Sequence, residues 1–324
     1  MKRRSAIGLM ALLPCIGFAP LAQAQAYPAK TIRWVVPYPA GGGSDFLART
    51  IAQQLSGQVG QPVVVDNKAG GNTAIAASEV ARSGADGYTI LSADNGTMVF
   101  NTALYSKLSY NPEKDLTPVT LMGKFPMVLV VGPGSDAKDA KDFIAKAKAN
   151  PGKVNYGSAG AGSPHHLAME LLKVSAGLHM VHIPYRGSAP AFTDLIGGQV
   201  QFMAESIPQA AQYHKQGKVR ALAVTSKQRN VALPDVPTVI ESGIKGFEVV
   251  GFYGFLAPAG TPKEAVARLS EAFRQVLELP DVRNRMVSQG ADPAFLGHED
   301  FARFLASEMP RWAEAVKQSG AKQD

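Results

Sequence analysis

Short apolar runs alternate along the chain with amphipathic stretches. Residues 32–36 read as a buried strand, and 44–55 as a helix with Leu47, Ile51 and Leu55 on one face. Further strands are predicted over 63–65, 88–91, 128–131, 154–156, 180–183, 200–203 and 219–224. Helices are predicted over 73–82, 136–149, 164–175, 190–196 and 207–216, with Leu167, Leu171 and Val174 supplying the helical spacing in one of them. Repeated strand–helix units imply an α/β fold with mostly parallel sheets covered on both faces.

The pattern changes near the C-terminus. A strand is predicted over 248–256, and Thr261-Pro262-Lys263-Glu264 has the form of a capping box with proline at the first helical position. Two or three helices follow, with Val266, Leu269, Phe273 and Val276 on one face. The last, over 299–316, contains Pro310 and is expected to kink. These helices have no strands of their own to cover, so they are expected to return to the first lobe. The expected organisation is a discontinuous lobe of 27–123 plus 251–324 and an inserted lobe of 124–250.

The N-terminus changes the compartment. Lys2, Arg3 and Arg4 precede an apolar stretch over 6–21, then Ala22-Gln23-Ala24-Gln25-Ala26. This is the layout of a secretory signal peptide, expected over 1–26 with cleavage after Ala26 and Ala24 as runner-up. Pro14 and Pro20 interrupt the apolar stretch, which argues against an uncleaved anchor, and Pro14 before Cys15 argues against lipid attachment. A periplasmic protein is therefore expected. Cys15 is the sole cysteine, so the mature chain carries no disulfide and no thiolate for catalysis or metal binding. Three of the +7 formal charges go with the signal, leaving +4. The remaining basic residues are dispersed, as where Lys138, Lys141 and Lys146 alternate with Asp136, Asp139 and Asp142. That is a solvated helix face, not a nucleic-acid stripe.

Three glycine-rich segments follow predicted strands: 37–45, with Tyr38, Ala40, Gly41, Gly42, Gly43 and Ser44; 66–72; and 156–164, with Ser158, Ala159, Gly160, Ala161, Gly162 and Ser163. Each is expected at the carboxyl edge of a parallel sheet, where open α/β folds bind ligands. Glycine lets backbone approach a ligand, and the helix starts offer unpaired N–H groups to an anion. Ser44 and Ser163 can cap their helices or offer a hydroxyl. Two such loops, one expected in each lobe, favour an anion held between them over plain tight turns.

Rival motifs fail on spacing. Gly41-Gly42-Gly43 with Asp66 approaches a dinucleotide fingerprint, but Phe46 occupies the position that requires a small residue. No G-x-S-x-G elbow, phosphate-binding loop or H-E-x-x-H pattern occurs. His165 and His166 are neighbours on a predicted helix and diverge by about 100°, which makes a poor metal pair. A Ser-His-Asp triad can be drawn from Ser44 or Ser158, His165 and Asp94, though nothing in the spacing demands it. Neither metal nor cofactor is expected.

Taken in order, several segments resemble the Bug-type receptors, the periplasmic substrate-binding proteins of tripartite tricarboxylate transporter systems. They are PYPAGGGSDFLAR at 37–49, DNKAGGN at 66–72, DGYT at 86–89, PGKVNY at 151–156, PYRGSAP at 184–190, ALAVT at 221–225 and LAPAGTP at 256–262. The resemblance covers essentially the whole mature chain. It implies a two-lobed periplasmic-binding-protein (Venus-flytrap, type II) fold holding a carboxylate between residues 38–44 and 158–163. Asp94, Asn95, His165, Tyr185, Arg186, Glu205 and Phe252 complete the implied ligand-binding set. The implied partners are a small carboxylate ligand and either a tripartite tricarboxylate membrane transporter or a sensor kinase, with the receptor itself a monomer. Ala161, Ser163, His165, Asp94-Asn95 and Glu205 depart from the family pattern and bear on which ligand is chosen.

Two functions are weighed: a non-enzymatic binding protein, which is expected, and a secreted hydrolase on the same scaffold, for which no nucleophile motif is found. The ligand expected is an amino acid, an aromatic acid or a di- or tricarboxylate. Asp94 and Glu205 would repel a second ligand carboxylate unless Arg186 or a protonated His165 intervened, so an amino acid or aromatic acid is expected to fit better than citrate.

Overall fold

The computed structural model describes residues 27–319 apart from Gly42 and Gln289, so the signal segment 1–26 lies outside the described residues. The opening βα units are β1 (Ile32–Val36), α1 (Gly43–Val59), β2 (Val63–Asn67), α2 (Ala74–Ala81) and β3 (Thr89–Asp94). A π-helical turn (Gly96–Phe100), α3 (Asn101–Leu104) and the long β4 (Leu116–Val131) follow. Then come α4 (Ala140–Ala149), β5 (Asn155–Ser158), α5 (Pro164–Ala176), β6 (Val181–Pro184), α6 (Ser188–Ile196), β7 (Phe202–Ser206), α7 (Ile207–Lys215) and β8 (Arg220–Val224). The last elements are β9 (Val250–Pro258), α8 (Lys263–Glu278), α9 (Pro280–Ser288), β10 (Asp292–Leu296) and α10 (His298–Ser319).

β4 belongs to two sheets. Up to Pro126 it pairs antiparallel with β9 and β10; from Met127 it pairs antiparallel with β7 and β8. The first sheet therefore runs β2-β1-β3-β9-β4-β10 and the second β6-β5-β7-β4-β8. The expected parallel βα units occupy the outer half of each sheet: β1 with β2 and β3, and β5 with β6 and β7. The antiparallel strands between them come from the crossing connections.

Thr225 ties those crossings together. Its hydroxyl accepts from the Met127 N–H (2.9 Å) and donates to the Val249 carbonyl (2.6 Å), and its own N–H donates to the Met127 carbonyl. Val250 then pairs with Pro126 at the start of β9.

Alternation along the strands divides the cores. Ile32, Trp34 and Val36 face a core shared with α1 and α8, whereas Val35 faces the opposite one. In the first core Trp34 meets Phe255 edge-on at 4.4 Å, and Phe255 stacks on Phe273 at 3.9 Å. Each such buried side chain contributes about 1.5–3 kcal/mol. The opposite core runs beneath both sheets, from Leu91 through Leu129 to Tyr156 and Leu167, and takes Phe301 and Trp312 of α10. α8 and α9 pack against α1, while α10 also packs on α5.

One local expectation is corrected. The capping box at 261–264 does not form: the Thr261 hydroxyl donates to the Pro258 carbonyl instead, and α8 begins without a side-chain cap. β10 and the π-helical turn are absent from the sequence reading. α10 continues through Pro310 at the loss of one backbone hydrogen bond.

Candidate ligand-binding cleft

A cavity of about 250 Å³ lies between the two sheets. From the first sheet come Tyr38, Pro39, Ala40, Gly41 and Ser44 after β1, Asp94 at the end of β3, and Tyr253 of β9. From the second come Ala159 after β5, Pro164 and His165 at the start of α5, Arg186, Gly187, Ser188, Ala189 and Pro190 at the start of α6, and Glu205, Ser206 and Gln209 around the start of α7. Phe125, next to the β4 crossing, stacks on Tyr253 at 4.3 Å. All but the two aromatics sit at or just beyond the carboxyl ends of parallel strands, where strand direction leaves a crevice.

The first loop is shaped by Asp45, whose carboxylate accepts the Gly41 N–H at 2.9 Å and pairs with Arg49 at 3.0 Å. Gly41 has φ +84°, a left-handed conformation that glycine adopts without strain. Ser44 is inside α1 and donates its hydroxyl to the Tyr253 hydroxyl at 2.9 Å. α6 is entered through Gly187 at φ +112° with no side-chain cap, so its first N–H groups remain available at the cavity wall. α5 differs: Ser163 caps it by accepting the His166 N–H at 3.3 Å.

Two acids border the cavity. The Asp94 carboxyl is buried, accepts the Tyr38 hydroxyl at 2.5 Å and the Thr97 N–H at 3.0 Å, and burial holds it above the usual carboxylate range. Burial likewise raises the Tyr38 and Tyr253 hydroxyls, with the nearby Asp94 charge adding to it. Glu205 is wholly buried. Its Oε1 accepts the Ser206 N–H at 2.6 Å and lies 3.6 Å from His165 Nε2.

Of the residues expected from sequence, Tyr38, Ala40, Gly41, Ser44, Asp94, Ala159, His165, Arg186 and Glu205 border this cavity. Gly42 lies outside the described residues. Gly43 begins α1. The others face elsewhere, for identifiable reasons. The Asn95 carbonyl oxygen takes the Phe252 N–H at 2.7 Å, which locks both residues into the β3–β9 junction. Tyr185 turns away to donate to Asp194 at 2.7 Å. Gly160, Ala161, Gly162 and Ser163 make the turn that seats α5, with Gly162 N–H donating to His166 Nδ1 at 3.0 Å. Pro39, Phe125, Pro164, Gly187, Ser188, Ala189, Pro190, Ser206, Gln209 and Tyr253 were not singled out. PYRGSAP was a signal for four of them; the strand pairing that brings Phe125 and Tyr253 together has no local signature.

The structure also rules on the paper triad. Ser158 pairs with His182, not His165, at 2.7 Å. Ser158 is wholly buried and also within hydrogen-bond reach of the Gly160 carbonyl, and burial pushes His182 down to about 3. A base held so low takes up a proton poorly at neutral pH. Among the described residues no cluster of His, Cys, Asp or Glu could hold a metal, and no helix is long and apolar enough to cross a membrane.

The model of the tripartite tricarboxylate transporter family receptor (TctC) matches residues 47–321. The chain belongs to this receptor family. Protein BugT of Bordetella pertussis is 36% identical over 94% of each chain. Among solved structures, Rpa4515 of R. palustris with adipate is 34% identical, covering 91% of this chain and 99% of that one, with a TM-score of 0.87. MatC from Rhodopseudomonas palustris with bound malate is 33% identical, covering 90% and 100%, with a TM-score of 0.83. The Bug-type receptor and the α/β periplasmic-binding-protein fold expected from the sequence are thus borne out, and the hydrolase reading falls away. In this receptor the Ser158–His182 pair holds the loop after β5.

Proposed function

We propose that this receptor is exported to the periplasm, where it captures a small carboxylate between two lobes and performs no chemistry on it. The observation that carries the reading is Arg186. It is the one arginine or lysine among the described residues that border the cavity, and it stands at the uncapped start of α6. A guanidinium beside free helix N–H groups suits a carboxylate. The adipate and malate held by the two solved relatives are both carboxylates, which supports the same class here.

The lobes are residues 27–123 with 251–324, and 124–250. They close by bending where β4 and the returning chain cross, around Thr225. As a monomer, the closed receptor presents its ligand to the membrane component of a tripartite tricarboxylate-type transporter or to a sensor kinase. Calorimetry of the purified mature protein against a panel of mono-, di- and tricarboxylates and amino acids is the test. Saturable binding of at least one carboxylate, recovered unchanged by mass spectrometry, is expected. Binding of none, or recovery of a product, would overturn the proposal.

A further inference from the structure

We infer that Glu205 is a specificity-determining residue of the cleft, and that the captured carboxylate also carries an ammonium group which Glu205 accepts. This rests on the carboxylate-capture reading above and names the ligand class within it.

The two acids bordering the cavity are not equivalent. Asp94 is committed to the protein: Oδ2 accepts from Tyr38, and Oδ1 accepts from both the Thr97 N–H and the Thr97 hydroxyl, at 3.0 and 3.2 Å. Glu205 is committed on one side only. Its Oε1 takes the Ser206 N–H, while Oε2, fully buried, has no hydrogen-bond partner among the described residues. β7 holds the residue in place, since Glu205 pairs with Val128 of β4 in the second sheet. His165 is the nearest candidate partner, but at 3.6 Å from Oε1 it stands outside hydrogen-bond reach, and its own Nδ1 is also unpartnered.

An unmatched buried carboxylate oxygen is costly and calls for a donor from whatever fills the cavity. A second ligand carboxylate would add a third negative group beside Glu205 and Asp94. Those two acids line the same cavity. A ligand hydroxyl would satisfy the oxygen and leave the charge. An ammonium does both, through a charge-assisted bond. Arg186 and the start of α6 remain for the ligand's own carboxylate. The ligand class is therefore a zwitterionic amino acid.

Matched pairs test this by calorimetry: propionate with alanine, 3-phenylpropionate with phenylalanine, succinate with aspartate, glutarate with glutamate and adipate with 2-aminoadipate, plus malate as the hydroxyl counterpart of aspartate. In the wild-type protein the amino member of at least one pair should bind on the order of tenfold tighter than its plain partner. In Glu205→Gln that ratio should fall toward one. Plain or hydroxy acids that bind as tightly as their amino counterparts throughout would overturn the inference and leave carboxylate capture standing. An amino preference that survives Glu205→Gln would also overturn it, by making Glu205 structural. Should Glu205→Gln fail to fold, Glu205→Asp, which keeps the charge but withdraws it, should show a reduced ratio; an undiminished one overturns the inference. Failure of both members of every pair to bind would overturn carboxylate capture and this inference together.

Discussion

Gly162, in the loop before α5, lies so close to Asn72, in the turn between β2 and α2, that a methyl group at Gly162 would sit 2.3 Å from Asn72 Nδ2 and 2.6 Å from Leu104 Cδ1. Asn72 has little freedom to yield. Its Nδ2 donates to Asn101 Oδ1 at 2.7 Å, and Asn101 returns a bond to the Asn72 carbonyl at 2.9 Å. Gly162 also has φ +77°, a conformation costing other residues about 1–2 kcal/mol. Gly162→Ala should therefore wedge the two sides apart. Ligand affinity should fall at least tenfold, and small-angle scattering should show less compaction on ligand addition. Wild-type affinity in a folded Gly162→Ala protein would show that this contact does not bear on ligand capture.

Tyr38→Phe removes the donor to a buried carboxyl that burial already holds above its usual range. Leaving Asp94 Oδ2 without that donor should cost about 1–3 kcal/mol, read as a lower denaturant midpoint at pH 7. Tyr38→Phe combined with Asp94→Asn should lose less than the sum of the two single changes, because they remove one interaction. Simple additivity would show that the two residues are not coupled.

Acid should weaken the fold through His166 and His182. The two rings stack at 4.0 Å, and burial pushes them down to about 4 and about 3. Since the unfolded chain titrates near 6.5, it binds more protons than the folded state below that pH. Their stabilisation is thus complete above about pH 6.5 and is lost as pH falls toward the two folded values. For His166 the loss is on the order of 2–4 kcal/mol. Asp94, raised by burial, works in the opposite sense, so the comparison to make is between proteins. Urea midpoints at pH 7 and pH 4.5 should differ less in His182→Phe than in the wild type. Equal differences would assign the acid sensitivity to other groups.

Arg186→Gln should separate binding from stability. Arg186 is an exposed side chain on the cavity wall. Its removal should leave Tm within about 1–2 °C, as for surface changes generally. Affinity for the carboxylate ligand should drop on the order of tenfold or more, with a weaker dependence on salt. An unchanged Kd would move the anion site away from the start of α6.

How much of this was legible in the sequence follows from where each signal resides. β1 was read with its observed bounds because the run from Ile32 to Val36 is β-rich and, but for Arg33, apolar, and its burial on both faces leaves no need for alternation. The glycine-rich turns were legible because a left-handed backbone demands glycine locally, as at Gly41 and Gly162. Arg186, His165, Asp94 and Glu205, which border the cavity, entered through the resemblance to the Bug-type receptors. The first part of β4 was not legible. Pro118, Gly123 and Pro126 obscure the strand pattern, and the ladder breaks register near Pro118 and Gly123.

The sequence by itself determined the order of the βα units, the family and the glycine-rich turns, because each depends on neighbours within a few residues. Only the tertiary structure decided which side chains from those loops share one space. Tyr185 and Phe252 turned to partners elsewhere, Ser158 found His182, and Tyr253 came to meet Ser44 from 209 positions along the chain. It also separated two acids that look alike in sequence, Asp94 satisfied by Tyr38 and Thr97, and Glu205 with one oxygen unpartnered. Hydrogen-bond satisfaction depends on what strand pairing brings within about 3 Å, and no local pattern encodes that distance.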